Sequence, residues 1–110
     1  MEIKDRVLIV EDDKNIRKFI QTILEANDYD VIATETGKEA YSLITSRCPD
    51  VVILDLGLPD MDGMEVIRRL RSWTNIPILV ISARSQEKEK VEALDAGADD
   101  YITKPFGTSE

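Results

Sequence analysis

Short apolar runs recur along the chain at regular intervals, and the stretches between them bring their apolar residues back at helical spacing. The runs are Val7-Leu8-Ile9-Val10, Val31-Ile32-Ala33, Val51-Val52-Ile53-Leu54, Ile78-Leu79-Val80-Ile81 and the shorter Asp100-Tyr101-Ile102. Continuous runs rich in β-branched residues predict strands buried on both faces. After the first run, Ile16, Phe19, Ile20, Ile23 and Leu24 fall at the offsets of one helical face, with Asp13 placed to cap it. Thr36-Gly37-Lys38-Glu39 has the form of a capping box and opens a second helix through Ala40, Leu43 and Ile44, which stops before Pro49. A third helix begins near Asp62 and carries Met64, Ile67 and Leu70. A fourth begins near Ser85, carries Val91 and Leu94, and ends at Gly97, where a left-handed residue is wanted.

Strands alternating with helices over short connections predict an α/β fold: a doubly wound, five-stranded parallel sheet with helices on both faces. The chain reads as one domain over 1–110, with no internal repeat or low-complexity segment. Gly107-Thr108-Ser109-Glu110 has the composition of a helix start. The helix it would open does not follow, so the expectation is a truncated domain with the last helix missing and one sheet face covered by the first helix alone. Such a helix buries on the order of 400–500 Å² of apolar surface, a gross contribution of roughly 10 kcal/mol. Without it the domain is expected to be weakly stable or to self-associate.

Charge narrows the function. The net charge of −8 argues against direct contact with nucleic acid or an anionic membrane. No apolar stretch approaches a membrane span, the first residues have no apolar signal region, and Cys48 stands alone; a cytoplasmic protein is expected. The chain has no histidine, which removes imidazole acid–base chemistry, Ser-His-Asp hydrolysis and most zinc sites.

The candidate chemistry lies at the carboxyl ends of the predicted strands, which gather in one crevice in an open parallel sheet. Glu11-Asp12-Asp13 follows the first run, Asp55 closes the third, Ser82 closes the fourth, and Lys104 follows the fifth. Two carboxylates about 5 Å apart repel by roughly 3 kcal/mol at an effective dielectric of 20. Three together call for a cation or a shared proton, and oxygen donors without histidine favour Mg²⁺. A hard cation, an ammonium and a hydroxyl together suit a phosphoryl group, with a carboxylate as nucleophile. Each residue taken singly has a plainer reading: Asp13, Asp60 and Asp62 as helix caps, Asp55 as structural, Lys104 as a solvated loop residue. The functional reading rests on their combination.

Four segments carry a resemblance: Val7-Leu8-Ile9-Val10-Glu11-Asp12-Asp13, Asp50 to Gly63, Ile81-Ser82-Ala83-Arg84, and Ala96 to Phe106. On these the chain resembles a response-regulator receiver domain of two-component signalling, of the OmpR/PhoB class. Leu56-Gly57-Leu58-Pro59, Ser82-Ala83-Arg84 and Ala93-Leu94-Asp95-Ala96-Gly97 add a likeness to the Kdp potassium-transport branch. The resemblance implies strand order 2-1-3-4-5 and Asp55 as phosphoacceptor. It implies Mg²⁺ held by Asp12, Asp55 and the Gly57 backbone carbonyl, with Glu11 acting through water. Lys104, Ser82 and Ala83 would bind the phosphoryl group, Ser82 and Tyr101 would switch, with Tyr101 turning inward, and Pro105 would follow a cis bond. The implied partners are a sensor histidine kinase, a second copy through the fourth helix and fifth strand, and DNA only through a C-terminal domain absent from this sequence, in control of potassium-transport genes. The chain would be no enzyme beyond assisting its own Mg²⁺-dependent phosphorylation and dephosphorylation.

The alternatives are a receiver-like interaction module that takes no phosphate, a carboxylate-nucleophile phosphatase and a flavin-binding module. Gly57 occupies the place of the phosphatase's second acid, and Glu11-Asp12-Asp13 would repel a flavin's phosphate. Ser82 stands where threonine is common in the family and Gly57 where a larger side chain is usual. Asp60-Met61-Asp62-Gly63 lacks the rest of a calcium loop and reads as turn and cap. Met61 and Met64 are expected to pack, Trp73 to be a partly buried anchor whose fluorescence reports Mg²⁺, and Cys48 to be an inert thiol at a helix end. Glu87-Lys88-Glu89-Lys90 is expected to be a solvated face, with Lys88 and Lys90 free for partner specificity.

Overall fold

A computed structural model describes residues 4–83 and 86–104. The chain alternates β1 (Arg6–Val10), α1 (Lys14–Ala26), β2 (Asp30–Thr34), α2 (Gly37–Arg47), β3 (Val51–Asp55), α3 (Gly63–Arg71), β4 (Ile78–Ser82), α4 (Glu87–Ala96) and β5 (Asp100–Thr103). All pairings are parallel and the strand order is β2-β1-β3-β4-β5. The order reverses direction at β1 and β3, and their carboxyl ends flank the crevice that this reversal opens. Pro105, and with it the expected cis bond, lies outside the described residues, as do the Gly107–Glu110 helix start and Ser85.

The expected starts at Asp13, Thr36 and Asp62 hold, although the capping box of α2 is only half made: the Glu39 carboxylate takes the Thr34 hydroxyl, and Thr36 N–H turns to Thr34 Oγ1 instead. Asp13 accepts from the backbone N–H groups of Asn15 and Ile16 at the start of α1. The Thr36 hydroxyl accepts from Glu39 N–H at the start of α2, and Asp62 accepts from Met64 N–H at the start of α3. Gly97 follows α4 at φ +126°, in the region that only glycine enters freely.

The two faces of the sheet are covered unequally. On one, α2, α3 and α4 seal a core of Leu8, Val10, Val52, Leu54, Ile78 and Val80 against Ala40, Ile44, Ile67, Leu70 and Ala93. On the other, Val7, Ile9, Ile53 and Ile81 meet Ile20 of α1. Beside α1 runs a wholly apolar groove of about 100 Å³ lined by Ile20, Ile53, Leu79, Ile81 and Ile102.

Three packing expectations need correction. Val91 and Leu94 do not form the buried side of α4: they are 46% and 38% exposed, and Ala93 is the residue packed on the sheet. A methyl lets the helix lie close, which turns the larger pair outward. In α1, Ile20 is buried, but Phe19 and Ile23 on the adjoining strip are 43% and 46% exposed. Trp73 is 53% exposed rather than an anchor. It follows α3, which starts at the strand-end crevice and runs away from it for nine residues, about 13 Å at 1.5 Å per residue. Its fluorescence is therefore badly placed to report a cation there. Met64 is buried and Met61 packs against the core, as expected. Cys48 is exposed at the end of α2 in the left-handed region, at φ 49°.

Candidate functional site

The carboxyl ends of β1, β3, β4 and β5 lie side by side, with Asp55 opposite Ile81 and Ser82 opposite Thr103 in register. They open on a cleft of about 300 Å³ lined by Glu11, Asp12, Asp13, Asp55, Gly57, Ser82, Ala83 and Lys104. Each strand buries apolar residues, four in β1, three each in β3 and β4 and Tyr101 in β5, and the polar residues stand at or just beyond its carboxyl end. The same runs that drive burial therefore aim the polar residues into one place.

Glu11, Asp12 and Asp55 each present a carboxylate oxygen, all within 4.8 Å of one another. Glu11 is completely buried and Asp55 nearly so, while Asp12 faces solvent. The Lys104 ammonium lies 2.8 Å from Glu11 Oε1 and 3.3 Å from Asp55 Oδ1. Glu11 Oε2 accepts from Asp13 N–H at 3.0 Å. Burial pushes the Glu11 carboxyl above its usual range and the charge on Asp55 adds to this; Lys104 and the Asp13 N–H oppose it without cancelling it. Burial alone would depress Lys104, but the two carboxylates outweigh it and hold the ammonium above its usual value.

One ammonium against three clustered carboxylates leaves excess negative charge. Apart from that ammonium, Glu11 Oε1 has no partner among the described residues. A hard cation with oxygen preference fits this donor set. Ser82 closes β4 almost fully buried, and its carbonyl accepts from Lys104 N–H at 2.6 Å, which fixes the lysine's backbone at the rim. Tyr101 is buried with the α4-side core, so the aromatic ring lies inward in this structure.

The loop between β3 and α3 carries Gly57 and is pinned along its length. Gly57 bridges to Asp62, and Gly63 N–H donates to Leu56 carbonyl at 2.9 Å. A Cβ at Gly63 would stand 2.5 Å from Leu56 Cα, so the close crossing beside Asp55 needs glycine. Asp60 does cap a helix, but not its own. Its two oxygens accept from Gly37 and Lys38 N–H, both at 2.9 Å, at the start of α2. Those backbone donors hold its carboxyl below the usual range.

Every site residue proposed from sequence within the described residues thus lines or adjoins one cleft; Tyr101 alone sits behind it in the core. Sequence reasoning missed Arg17, on α1, whose Nη1 donates to the Glu11 carbonyl at 2.8 Å and to the Asp12 carbonyl at 3.4 Å. The available signal was a lone arginine one turn after an acidic triplet.

The response regulator receiver domain family matches residues 7–110. The KDP operon transcriptional regulatory protein KdpE of Escherichia coli K12 is 54% identical over 104 residues, which is 94% of this chain and 46% of that protein. KdpE of Mycobacterium tuberculosis is 49% identical over the same shares. The chain thus spans less than half the length of the curated relatives it matches. Among solved structures, the receiver domain of Francisella response regulator 1452 superposes with a TM-score of 0.89 at 39% identity, covering 94% of this chain and 86% of that one. The BeF3-activated receiver domain of Klebsiella pneumoniae RstA gives 0.89 at 34%, covering 92% and 86%. No helix among the described residues is long and apolar enough to cross a membrane. The strand order, the acidic cleft and these matches agree: the chain belongs to the response-regulator receiver domain family of two-component systems and is related to the Kdp regulators.

Proposed function

We propose that this domain accepts a phosphoryl group on Asp55 from a sensor histidine kinase and uses it to switch a dimerisation face. The observation that carries the reading is the meeting of three carboxylates with one ammonium around Asp55 at neighbouring strand ends. Asp12, Asp55 and the Gly57 carbonyl would hold Mg²⁺, with Glu11 acting through water; when bound, the ion supplies charge neutralisation to the phosphoryl oxygens.

The residues divide the work as follows. An Asp55 carboxylate oxygen attacks phosphorus in line, and an acyl phosphate forms. The P–N bond of the donor phosphohistidine breaks, its electron pair returns to the ring, and the ring, which already carries a proton on its other nitrogen, leaves as neutral imidazole. Lys104, already 3.3 Å from Asp55, pairs with a phosphoryl oxygen, so that catalysis is chiefly positioning and electrostatics. The Ser82 hydroxyl and the Ala83 backbone take further oxygens. Displacement of Ser82 stabilises the inward position of Tyr101, and the face of α4 and β5 is biased towards a second copy. Exposed Val91 and Leu94 give α4 apolar contact area. Lys88 and Lys90 serve partner specificity. The relatives' names support control of transcription, for one of them of the KDP operon; control of potassium-transport genes in the cytoplasm, with DNA bound by a C-terminal domain of the full-length protein, is part of the same proposal.

Incubation with acetyl phosphate and Mg²⁺, read by intact-mass spectrometry, tests this. The wild type gains one phosphoryl group that hydroxylamine removes; Asp55→Asn gains none, and EDTA suppresses the reaction. An unmodified wild type would replace this reading with a phosphate-independent interaction module.

A further inference from the structure

Arg17 stands behind the acidic cleft, not in it. Its side chain is only 18% exposed and arises from the first turn of α1. One guanidinium nitrogen takes the main-chain carbonyls of Glu11 and Asp12, and the other lies 3.7 Å from the Glu35 carboxylate in the loop between β2 and α2. The backbone of this acidic loop is also held by Glu11 N–H, which donates to the Thr34 carbonyl at 3.0 Å, by Asp13 N–H, which donates to Glu11 Oε2, by Arg17 N–H on the Asp13 carbonyl, and by the Asp13 cap. Glu35 is two-thirds exposed and adds little energy. The carbonyl contacts are the stronger part, being charge-assisted and made by a rigid planar group.

We propose that Arg17 is a positioning residue for the cation site: it holds the carbonyls of Glu11 and Asp12 from the rear, so that their carboxylates stay gathered with that of Asp55. The proposal rests on the reading of the cleft as a divalent-cation site. Its sign separates it from a simple charge effect. Deleting a nearby positive charge, with nothing else changed, tightens binding of a dication. Deleting a support that orients the ligands weakens it, by about tenfold or more for outer partners of metal sites. Lysine keeps the charge but is a single point donor on a differently shaped stem, and it cannot stand both where Nη1 meets the two carbonyls and where Nη2 faces Glu35.

The test measures Mn²⁺ binding by electron paramagnetic resonance and Mg²⁺ binding by calorimetry on wild type, Arg17→Met, Arg17→Lys and Lys18→Met, with folding of each checked by circular dichroism. Affinity is expected to fall about tenfold in both Arg17 variants and to hold steady or rise in Lys18→Met, which removes a charge from exposed α1 without touching the loop. Arg17→Lys decides the matter alone if Arg17→Met fails to fold. Unchanged or tighter binding in folded Arg17 variants overturns the positioning role and leaves the cation site standing. Absence of saturable binding in the wild type overturns both together.

Discussion

Replacing Lys104 by methionine removes the ammonium and keeps an unbranched stem. The ammonium lies 2.8 Å from Glu11 Oε1 and 3.3 Å from Asp55 Oδ1 and is 13% exposed. At an effective dielectric of 20, each contact has a gross attraction of about 5–6 kcal/mol, most of it offset by the desolvation of the charges. What decides the outcome is that Glu11 is wholly buried. Removing one partner of a buried pair leaves an uncompensated charge, which destabilises by about 3–5 kcal/mol. Lys104 sits at a rim that water can enter, so the lower end applies, and a loss of about 3 kcal/mol is expected at pH 7 in EDTA. That is a large part of the 5–15 kcal/mol typical of a domain.

The loss depends on pH with a defined sign. Glu11 is already raised above 4.5 in the folded state, and loss of Lys104 raises it further. A carboxyl raised by folding favours the folded state below its unfolded value and loses that benefit as pH rises through its folded value. The deficit of Lys104→Met is therefore small near pH 4.5 and grows towards neutrality. A dication occupying the cleft substitutes for the missing charge, so Mg²⁺ narrows the deficit at pH 7. Urea unfolding at several pH values, with EDTA or Mg²⁺, measures each arm. A deficit below about 1 kcal/mol at pH 7, or one that does not vary with pH, would refute the assignment of Lys104 as the counter-ion of a buried Glu11.

Two glycines give opposite expectations for the same substitution. Gly63→Ala drives a Cβ against the Leu56 and Asp55 backbone at 2.5 and 2.9 Å and should destabilise by about 2–3 kcal/mol in urea unfolding. Gly37→Ala meets the flexible end of Met61 at 2.8 Å, which can swing aside, and should stay within about 1 kcal/mol of wild type by the same measurement. Asp13→Ala removes the acceptor for Asn15 and Ile16 N–H and should lower stability by about 1 kcal/mol, visible as a lower urea midpoint.

Element order, helix caps and the gathering of acids, Ser82 and Lys104 were legible because each has a local signal. An apolar run is a strand wherever it lies, and a strand's last residue must emerge at the sheet's edge. The misread residues are those whose surroundings are set by distant chain. Periodicity puts Phe19, Ile20 and Ile23 on one side of α1 but not the breadth of what lies beneath. Val91 and Leu94 carry the strongest apolar signal in α4, yet Ala93 is the contact because closeness favours the smallest side chain. Asp60 reads as a cap of the helix that follows it, whereas its partners lie 22 and 23 residues earlier. Arg17 looks like surface charge until folding brings two carbonyls under it.

Position 57 has a separate consequence. A side chain there would meet only Asp55 Oδ2, at an ordinary contact distance of 3.9 Å, and would otherwise enter open space. Its backbone is outside the left-handed region, where among glycines only Gly97 is found in the described residues. Folding therefore does not require glycine at this point, and a side chain could roof the Asp55 carboxylate without meeting backbone. If Asp55 takes a phosphoryl group as proposed, the survival of that mixed anhydride can be adjusted by shielding it from water at a single spot, at no expense to the scaffold.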